Sequence, residues 1–336
     1  MKAFHPDVNR DALCRTTYQC GGFVYDMDAD FQKLPDSLAG TAIAGGCCDK
    51  EGNIFLFSRN LDHPIIKLDP DGRYVTDFGA GLFKATHFLT VTPQDTLLCS
   101  DTAAHVVREL TLDGKLIRDF GTYGVPSDSG FTSGGWERAR RAGDIYPSEY
   151  GIIGQWAFYD AMKTIQRAAP PFNRPTDSAV NSKGEYYFSD GYGNAAIHKF
   201  SPEGDLLKTW GGPGREAGRF LCPHSIEVDS ADQVWVGDRE GNSVHVFDED
   251  GNILAYISGY MGQPSGIQSD GKYIYVIGRG GYLTIFNTDI DIVAQLGFFN
   301  SDLRAHDICC NANGDLFLFP TYANIDHQVI KLTRRR

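Results

Sequence analysis

Apolar and polar residues alternate in short runs between residues 221 and 247. Residues 225–229 alternate, residues 233–237 are mostly apolar and β-branched or aromatic, and residues 243–247 alternate again. The turn-forming sequences Asp-Ser-Ala-Asp and Arg-Glu-Gly-Asn separate the three runs. A period of two between such turns predicts three short β-strands. His224 stands at the entrance of the first strand.

Versions of this unit recur along the chain, at about 41–79, 85–121, 174–211, 222–260, 264–298 and 304–333. In each unit, a position near the first strand lies 14 residues before the end of the second strand: Gly45/Arg59, His87/Asp101, Thr176/Asp190, His224/Asp238, Pro264/Gly278 and His306/Pro320. The second members are 42, 89, 48, 40 and 42 residues apart, the longest interval being one repeat plus an insertion. Six such repeats predict an all-β, six-bladed β-propeller. A pair of β-sandwiches would not need the fixed offset.

Two segments depart from the repeat. The sixth unit lacks a clear fourth strand, and residues 21–33 form a spare strand that could complete it and close the ring, whereas residues 1–20 are expected to be irregular. Residues 122–172 form an insertion between the second and third blades. Within it, the apolar spacing of residues 154–169 predicts a helix that ends at Pro170 and Pro171. The whole chain, 1–336, is therefore expected to form one propeller domain.

The composition narrows the partners and the compartment. The chain has 336 residues, 42% of them hydrophobic, and a net charge of −12, which argues against nucleic acid or an anionic membrane as a partner. No signal peptide is evident near the N-terminus and no segment approaches 18 apolar residues, so a cytoplasmic location is expected. The eight cysteines include the adjacent pairs Cys47-Cys48 and Cys309-Cys310. Adjacent strand residues point to opposite faces, so reduced thiols are expected.

Three of the six equivalent first-strand positions are histidines: His87, His224 and His306. They fall in alternate units, about 120° apart around a six-bladed propeller, so their side chains are expected to converge on the axis. Three imidazoles in this arrangement suit zinc, or another divalent transition metal, with an open coordination position. The alternative is that the three histidines only pack or form hydrogen bonds at the channel entrance.

Other polar residues fall near the same ring in the repeat register. Arg59 ends a second strand, Tyr192 follows Asp190, and Arg239 follows Asp238. The aspartates at the ends of second strands recur at one repeat position, which favours a structural role in turns. Asp307 directly follows His306, and the residues alone leave open whether it orients a ligand, binds a cation or caps a turn.

These stretches resemble NHL-type propeller repeats, and the polar set is similar to that of the peptidylglycine amidating lyase family (peptidyl-α-hydroxyglycine α-amidating lyases). The matching stretches are 57–60 (FSRN), 86–91 (THFLTV), 189–194 (SDGYGN), 198–204 (HKFSPEG), 223–226 (PHSI), 238–242 (DREGN) and 305–308 (AHDI). They extend over almost the whole chain from about residue 41. A single NHL repeat is weak evidence, but the combination in this order is specific.

The resemblance implies roles for the matching residues. The three histidines would hold zinc, and Tyr192 would be the base that removes the hydroxyl proton of a hemiaminal substrate. Arg59 and Arg239 would bind the substrate carboxylate or stabilise developing negative charge. Asp307 would bind a structural Ca²⁺ together with backbone carbonyls near Gly46 and Leu89. The positive charge of Zn²⁺ and arginine near Tyr192 is expected to lower its pKa from the ordinary value of about 10.

The chain also departs from the family pattern. Arg304 occupies a position where the family usually has methionine, two residues before the third histidine. Its side chain would therefore favour a more anionic substrate or point away from the site. The insertion at 122–172 is additional, and would act as a lid or as a homo-oligomer contact. A small hydroxylated amide is therefore at least as good a candidate substrate as a peptide.

Three functions follow. The leading hypothesis is a zinc lyase that cleaves the C–N bond of an α-hydroxyamide. The second is a non-catalytic NHL propeller that binds a protein or ligand. The third is a calcium-dependent, lactonase-like hydrolase, which would need carboxylate and asparagine ligands in the channel; the symmetric histidines count against it.

Overall fold

Six antiparallel sheets follow one another along the chain and meet around a central channel. The computed structural model describes residues 16–133, 152–259, 261–320 and 327–335. The innermost strand of each sheet contacts the innermost strands of both neighbouring sheets, which closes the ring. The all-β, six-bladed propeller predicted from the repeats is confirmed.

Five of the blades contain four strands each, in chain order from the channel outwards. Blade 1 contains β3 (Ile43–Cys48), β4 (Ile54–Ser58), β5 (Ile65–Leu68) and β6 (Tyr74–Phe78). Blade 2 contains β7 (Thr86–Val91), β8 (Thr96–Asp101), β9 (Val106–Thr111) and β10 (Leu116–Phe120). Blade 3 contains β11 (Asp177–Val180), β12 (Tyr186–Asp190), β13 (Ala196–Phe200) and β14 (Leu206–Gly211). Blade 4 contains β15 (Pro223–Val228), β16 (Val234–Asp238), β17 (Ser243–Phe247) and β18 (Ile253–Ser258). Blade 5 contains β19 (Pro264–Ser269), β20 (Tyr273–Gly278), β21 (Tyr282–Asn287) and β22 (Ile292–Gly297).

Blade 6 draws its strands from both ends of the described chain. From the channel outwards it contains β23 (Asp307–Cys310), β24 (Leu316–Phe319), β25 (Ile330–Arg334), β2 (Phe23–Asp28) and β1 (Thr17–Cys20). The expectation of irregular structure up to residue 20 is wrong for β1. Gly21 and Gly22 both have positive φ, the geometry that lets a two-residue turn join twisted strands.

The core lies between neighbouring blades, because the inner strands are covered on both faces. Trp235 of blade 4 and Phe286 of blade 5 are fully buried, with ring centroids 5.3 Å apart. Phe172, at the end of the insertion, is buried between blades 2 and 3 and packs 5.5 Å from Phe188. Each large apolar side chain buried in this way contributes about 1.5–3 kcal/mol. The outermost strands, such as β14, are largely exposed.

The insertion contains one described helix, α1 (Ile152–Met162). It is shorter than the helix predicted at 154–169. The Thr164 hydroxyl donates a hydrogen bond to the Ala161 carbonyl, and the amides of residues 166 and 167 then donate to the Ser129 carbonyl, so the chain turns away from the helix axis. Residues 134–151 of the insertion lie outside the described residues. Among the segments that are described, no helix is long and apolar enough to cross a membrane.

The cysteines that the structure describes are free thiols. Cys48 and Cys309, from the innermost strands of blades 1 and 6, have Sγ atoms 3.5 Å apart. Within each adjacent pair, the two cysteines are not joined by a disulfide. The contact between Cys48 and Cys309 was not apparent from the sequence, because the two residues are 261 positions apart.

Candidate metal centre and active site

Three histidines, named the histidine layer, meet on the propeller axis: His87, His224 and His306. Their ring centroids are 4.7–5.1 Å apart. The pairing of first and second strands shifts register around His87 and His224, and a β-bulge of this kind redirects a side chain. His306 directly precedes β23 and donates its backbone N–H to the Phe319 carbonyl. All three are buried.

The Nδ1 atom of each imidazole is held by a backbone carbonyl of the next blade. Each Nδ1–O distance is 2.7 Å, in the pairs His87–Thr176, His224–Ser265 and His306–Ala44. A carbonyl can only accept, so each Nδ1 carries the proton and donates it. Each Nε2 is therefore left with a lone pair, as a metal ligand requires.

The surroundings keep these imidazoles neutral. The pKa of each is lowered well below its ordinary value, chiefly because burial disfavours the charged form. The positive charge of Arg239 lowers all three pKa values further, and Arg59 lowers those of His87 and His306. Neutral imidazoles are the form that binds a metal.

Tyr192 lies against the open side of the histidine layer. Its hydroxyl oxygen is 2.9 Å from Nε2 of His87 and 2.9 Å from Nε2 of His224. One hydroxyl proton can satisfy only one of these lone pairs. One ligand atom from each of the three imidazoles lies within 4.8 Å of the others, so lone pairs outnumber donors at this point. A divalent cation fits such a donor set.

Burial raises the pKa of Tyr192, although Arg239 and Arg59 partly offset the effect. The two arginines lower this pKa, as expected, but burial raises it by more. The expected contribution of zinc stays a prediction. Desolvation of the phenolate outweighs the attraction of the two guanidinium groups.

Arg239 is tied into a buried chain of polar groups. Its Nη1 donates to the Tyr192 hydroxyl over 3.2 Å, and its Nε donates to Glu240 over 2.8 Å. The other oxygen of Glu240 accepts hydrogen bonds from Tyr159 of α1 and from Gln263. Arg239 is thus fixed against the tyrosine oxygen. Glu240 and Tyr159 were missed in the sequence. Tyr159 lies in the insertion, outside the repeat, whereas Glu240 follows Asp238 as Tyr192 follows Asp190 and could have been recognised by that register.

The other two predicted arginines are more exposed than Arg239. Arg59 is half-buried, and its Nη1 donates to the Thr86 carbonyl over 3.4 Å, one residue from His87. Arg304 is also half-buried. Within the described residues, no hydrogen bond joins the Arg304 side chain to the histidine layer or to Tyr192.

A second polar layer lies next to the histidine layer in the channel. Asp177, Glu227 and Asp307, named the carboxylate layer, line a cavity of about 120 Å³ together with Gly46 and Leu89. Asp307 accepts a hydrogen bond from the Gly46 amide over 3.1 Å. Burial raises the pKa of Asp307 and of Glu227 to about 8, and it also raises that of Asp177.

Asp177 was not among the predicted site residues, although a signal was present. It follows Thr176 as Asp307 follows His306, and Thr176 and His306 hold equivalent repeat positions.

The aspartates at the ends of second strands have the structural role expected of them. Asp101, Asp190 and Asp238 are buried and accept backbone N–H groups from the loops before their blades.

Comparisons with known proteins agree with this architecture. The NHL repeat family matches residues 220–247. The chain is 25% identical to human NHL repeat-containing protein 3 over 283 residues, which cover 80% of this chain and 71% of that protein. It is 26% identical over 187 residues to a protein of Caenorhabditis elegans named as a probable peptidyl-α-hydroxyglycine α-amidating lyase. That match covers 54% of this chain but only 42% of the relative.

Among solved structures, virginiamycin B lyase from Staphylococcus aureus is similar, with a TM-score of 0.59 and 14% identity over 92% of this chain and 99% of that one. At this identity the likeness shows the fold alone. The sequence relatives go further, because they include proteins named as amidating lyases in two organisms. The chain is thus a six-bladed β-propeller that contains an NHL repeat at residues 220–247 and is similar to proteins named as peptidyl-α-hydroxyglycine α-amidating lyases.

Proposed function

We propose that the protein is a metal-dependent lyase that cleaves the C–N bond of an α-hydroxyamide, with zinc or another divalent transition metal held by the histidine layer. The observation that carries the proposal is the convergence of three Nε2 lone pairs, with each Nδ1 committed to a carbonyl and one tyrosine hydroxyl 2.9 Å from two of them. Three protein ligands leave a further coordination position open, as in catalytic zinc sites.

The reaction is an elimination within one molecule. The hydroxyl proton of the N–CH(OH) unit leaves, the C–O bond becomes a carbonyl, and the C–N bond breaks with its electron pair moving to nitrogen. The nitrogen then gains a proton, so the products are a carbonyl compound and an amide, and no water is consumed. A divalent cation supplies positive charge that favours the ionised forms of neighbouring oxygen groups.

Tyr192 takes the hydroxyl proton and returns it to the departing nitrogen. Burial alone works against its phenolate form, so this role depends on positive charge next to its oxygen. Arg239 provides one such charge at 3.2 Å. Arg59 is more exposed than the buried Arg239 and is therefore the better candidate for the substrate carboxylate, with Arg304 a peripheral one.

We further propose that the carboxylate layer holds a structural Ca²⁺, through Asp307 and backbone carbonyls near Gly46 and Leu89. Oxygen ligands suit a hard cation. The raised pKa values of Asp307 and Glu227 support the assignment, because they indicate buried carboxylates without enough positive charge around them.

Two measurements test the lyase. The protein, purified without chelator and supplied with zinc, is expected to hold one transition-metal ion per chain by elemental analysis. It is expected to convert α-hydroxyhippurate to benzamide and glyoxylate, and to lose this activity with a chelator. Absence of stoichiometric metal would overturn the proposal. Calcium-dependent lactone hydrolysis without amide cleavage would favour the hydrolase, and tight ligand binding that survives loss of the histidines would favour the binding propeller.

A further inference from the structure

The insertion places an aromatic ring against the residues proposed to act in the reaction. The Phe158 ring centroid lies 5.5 Å from that of Tyr192, edge to face at 83°. The Arg239 guanidinium carbon lies 5.9 Å from the centroid of the same ring. Phe158 therefore covers both the proposed base and the arginine that holds its oxygen.

Contacts made by the residues that follow Phe158 hold this part of the insertion against the propeller. Next to Phe158 on α1, Tyr159 donates a hydrogen bond to Glu240 over 3.1 Å, and the Glu240 side chain is only 6% exposed. Met162 is buried at the end of the helix. Farther on, Ala169 and Asn194 exchange two hydrogen bonds, of 2.8 and 2.6 Å. The described part of the insertion is thus a packed element of the propeller face.

A cavity of about 540 Å³ adjoins these residues. Its apolar lining comes from both the insertion and blades 3 and 4, and includes Met162, Ile165, Phe220 and Leu221. The polar lining comes from Tyr159 and Glu240, on the side of Arg239, and from Lys163, Arg215 and Gln263. A space of this size that offers both apolar surface and polar groups suits a small organic group.

We propose that Phe158 determines substrate size, so that the enzyme favours α-hydroxyamides with a compact, apolar acyl group over peptidyl substrates. This inference rests on the proposed lyase function. The acyl group lies in the cavity beside Glu240, whereas a peptide chain leaving the site over Tyr192 and Arg239 would meet the Phe158 ring. Neither the repeat nor the histidine layer implies this selectivity, because the ring comes from the insertion.

The test compares kcat/KM for α-hydroxyhippurate, which is N-benzoyl-α-hydroxyglycine, with kcat/KM for a tripeptidyl-α-hydroxyglycine. The wild type is expected to prefer the benzoyl substrate by at least about tenfold, which a steric clash of a few groups can produce. The F158A variant is expected to reduce this preference about tenfold by a gain on the tripeptidyl substrate, and F158L should fall between the two. The matched control is F298A, which truncates a phenylalanine that is 65% exposed on blade 5; its preference should equal that of the wild type.

The outcomes separate the two hypotheses. If the wild type cleaves neither substrate although it holds its metal, the proposed function fails and this inference fails with it. If the wild type cleaves both substrates with equal kcat/KM, or if F158A and F158L keep the wild-type preference, the proposed lyase function is supported and the proposed role of Phe158 is wrong. Bound metal and the thermal midpoint are measured for each variant, so that a change in preference is not confused with loss of the fold.

Discussion

The histidine layer and the carboxylate layer lie next to each other in one channel, yet their chemistry is opposite. His306 and Asp307 are consecutive residues, yet they enter different layers, with His306 directly before β23 and Asp307 as the first residue of that strand. The imidazoles have their Nδ1 protons engaged and stay neutral, whereas the carboxylates are buried with raised pKa values. At this point of the chain, one residue of sequence separates a donor set that suits a transition metal from one that suits a hard cation.

The largest expected effect comes from removing one imidazole. H224A should lose the bound transition metal and more than about a hundredfold in turnover, because even the partners of metal ligands contribute about 10–100-fold. Calcium content should be unchanged if the layers are independent. Elemental analysis and α-hydroxyhippurate turnover measure both. H63A, which removes a half-exposed histidine paired with Asp77, is the control, and equal losses in the two variants would contradict the assignment.

A smaller effect is expected from Y192F, which removes the proposed base and leaves all three imidazoles. Metal content should remain at the wild-type level, while kcat falls about 10²–10⁴-fold, the usual contribution of a general base. Steady-state kinetics with the metal-loaded variant measure the change. Wild-type kcat in this variant would remove Tyr192 from the reaction.

The two layers should respond to pH with opposite signs. The imidazole pKa values are lowered on folding, so the histidine layer makes stability rise with pH up to about 6.5 and has no effect above it. The pKa of Glu227 is raised from 4.5 to about 8, so the folded state holds a proton that the unfolded state has lost. The carboxylate layer therefore makes stability fall as pH rises towards 8.

Thermal unfolding of chelated protein measures this difference. The unfolding midpoint should fall between pH 6.5 and pH 8, and Ca²⁺ should restore it more at pH 8 than at pH 6.5. E227Q should make the fall shallower, whereas E51Q, at an exposed position, should not. A midpoint independent of pH in this window, or an equal response to Ca²⁺ at both pH values, would contradict the assignment of the carboxylate layer.

The smallest effect is expected at Arg304, outside both layers. Since no described hydrogen bond joins its side chain to the histidine layer, R304A should change kcat/KM for α-hydroxyhippurate by less than about threefold, as for an exposed charge pair. R59A, at the better-placed arginine, should raise KM more. A larger loss in R304A than in R59A would show that Arg304 binds the substrate carboxylate, as its position before His306 suggests.

Much of the fold could be predicted because each blade repeats the same pattern. The constant 14-residue offset identified the blades and brought His87, His224 and His306 into register. It placed blades 1 and 5 one residue out of register. The strand pairing makes Ala44 and Ser265, not Gly45 and Pro264, the counterparts of His224, and it is their carbonyls that hold the imidazoles. A fixed offset cannot reveal this, because the connection between the first two strands differs by one residue between blades: Pro223 pairs with Asp238, but Pro264 pairs with Gly278.

The site was less predictable wherever a residue has no counterpart in other blades. Phe158 and Tyr159 belong to the insertion, so no repeat position relates them to Tyr192 or Glu240. The pKa of Tyr192 depends on how completely the hydroxyl is buried, and a sequence that shows two neighbouring arginines does not show that burial. Asp177 could have been recognised, because it shares the register of Asp307.

The closure of blade 6 determines when the ring can close during synthesis of the chain. Arg335 donates two hydrogen bonds to the Asp26 carboxylate across 309 residues of sequence, and β2 pairs with β25 beside them. At about 5–20 residues per second of synthesis, roughly 15 to 60 seconds separate the two partners at the ribosome. During that interval β2 can pair only with β1, and its other edge stays unpaired until β25 is made. His306 is also made late, and its carbonyl partner is Ala44 of the first blade, so the proposed metal could bind to the complete histidine layer only after blade 6 has met blade 1.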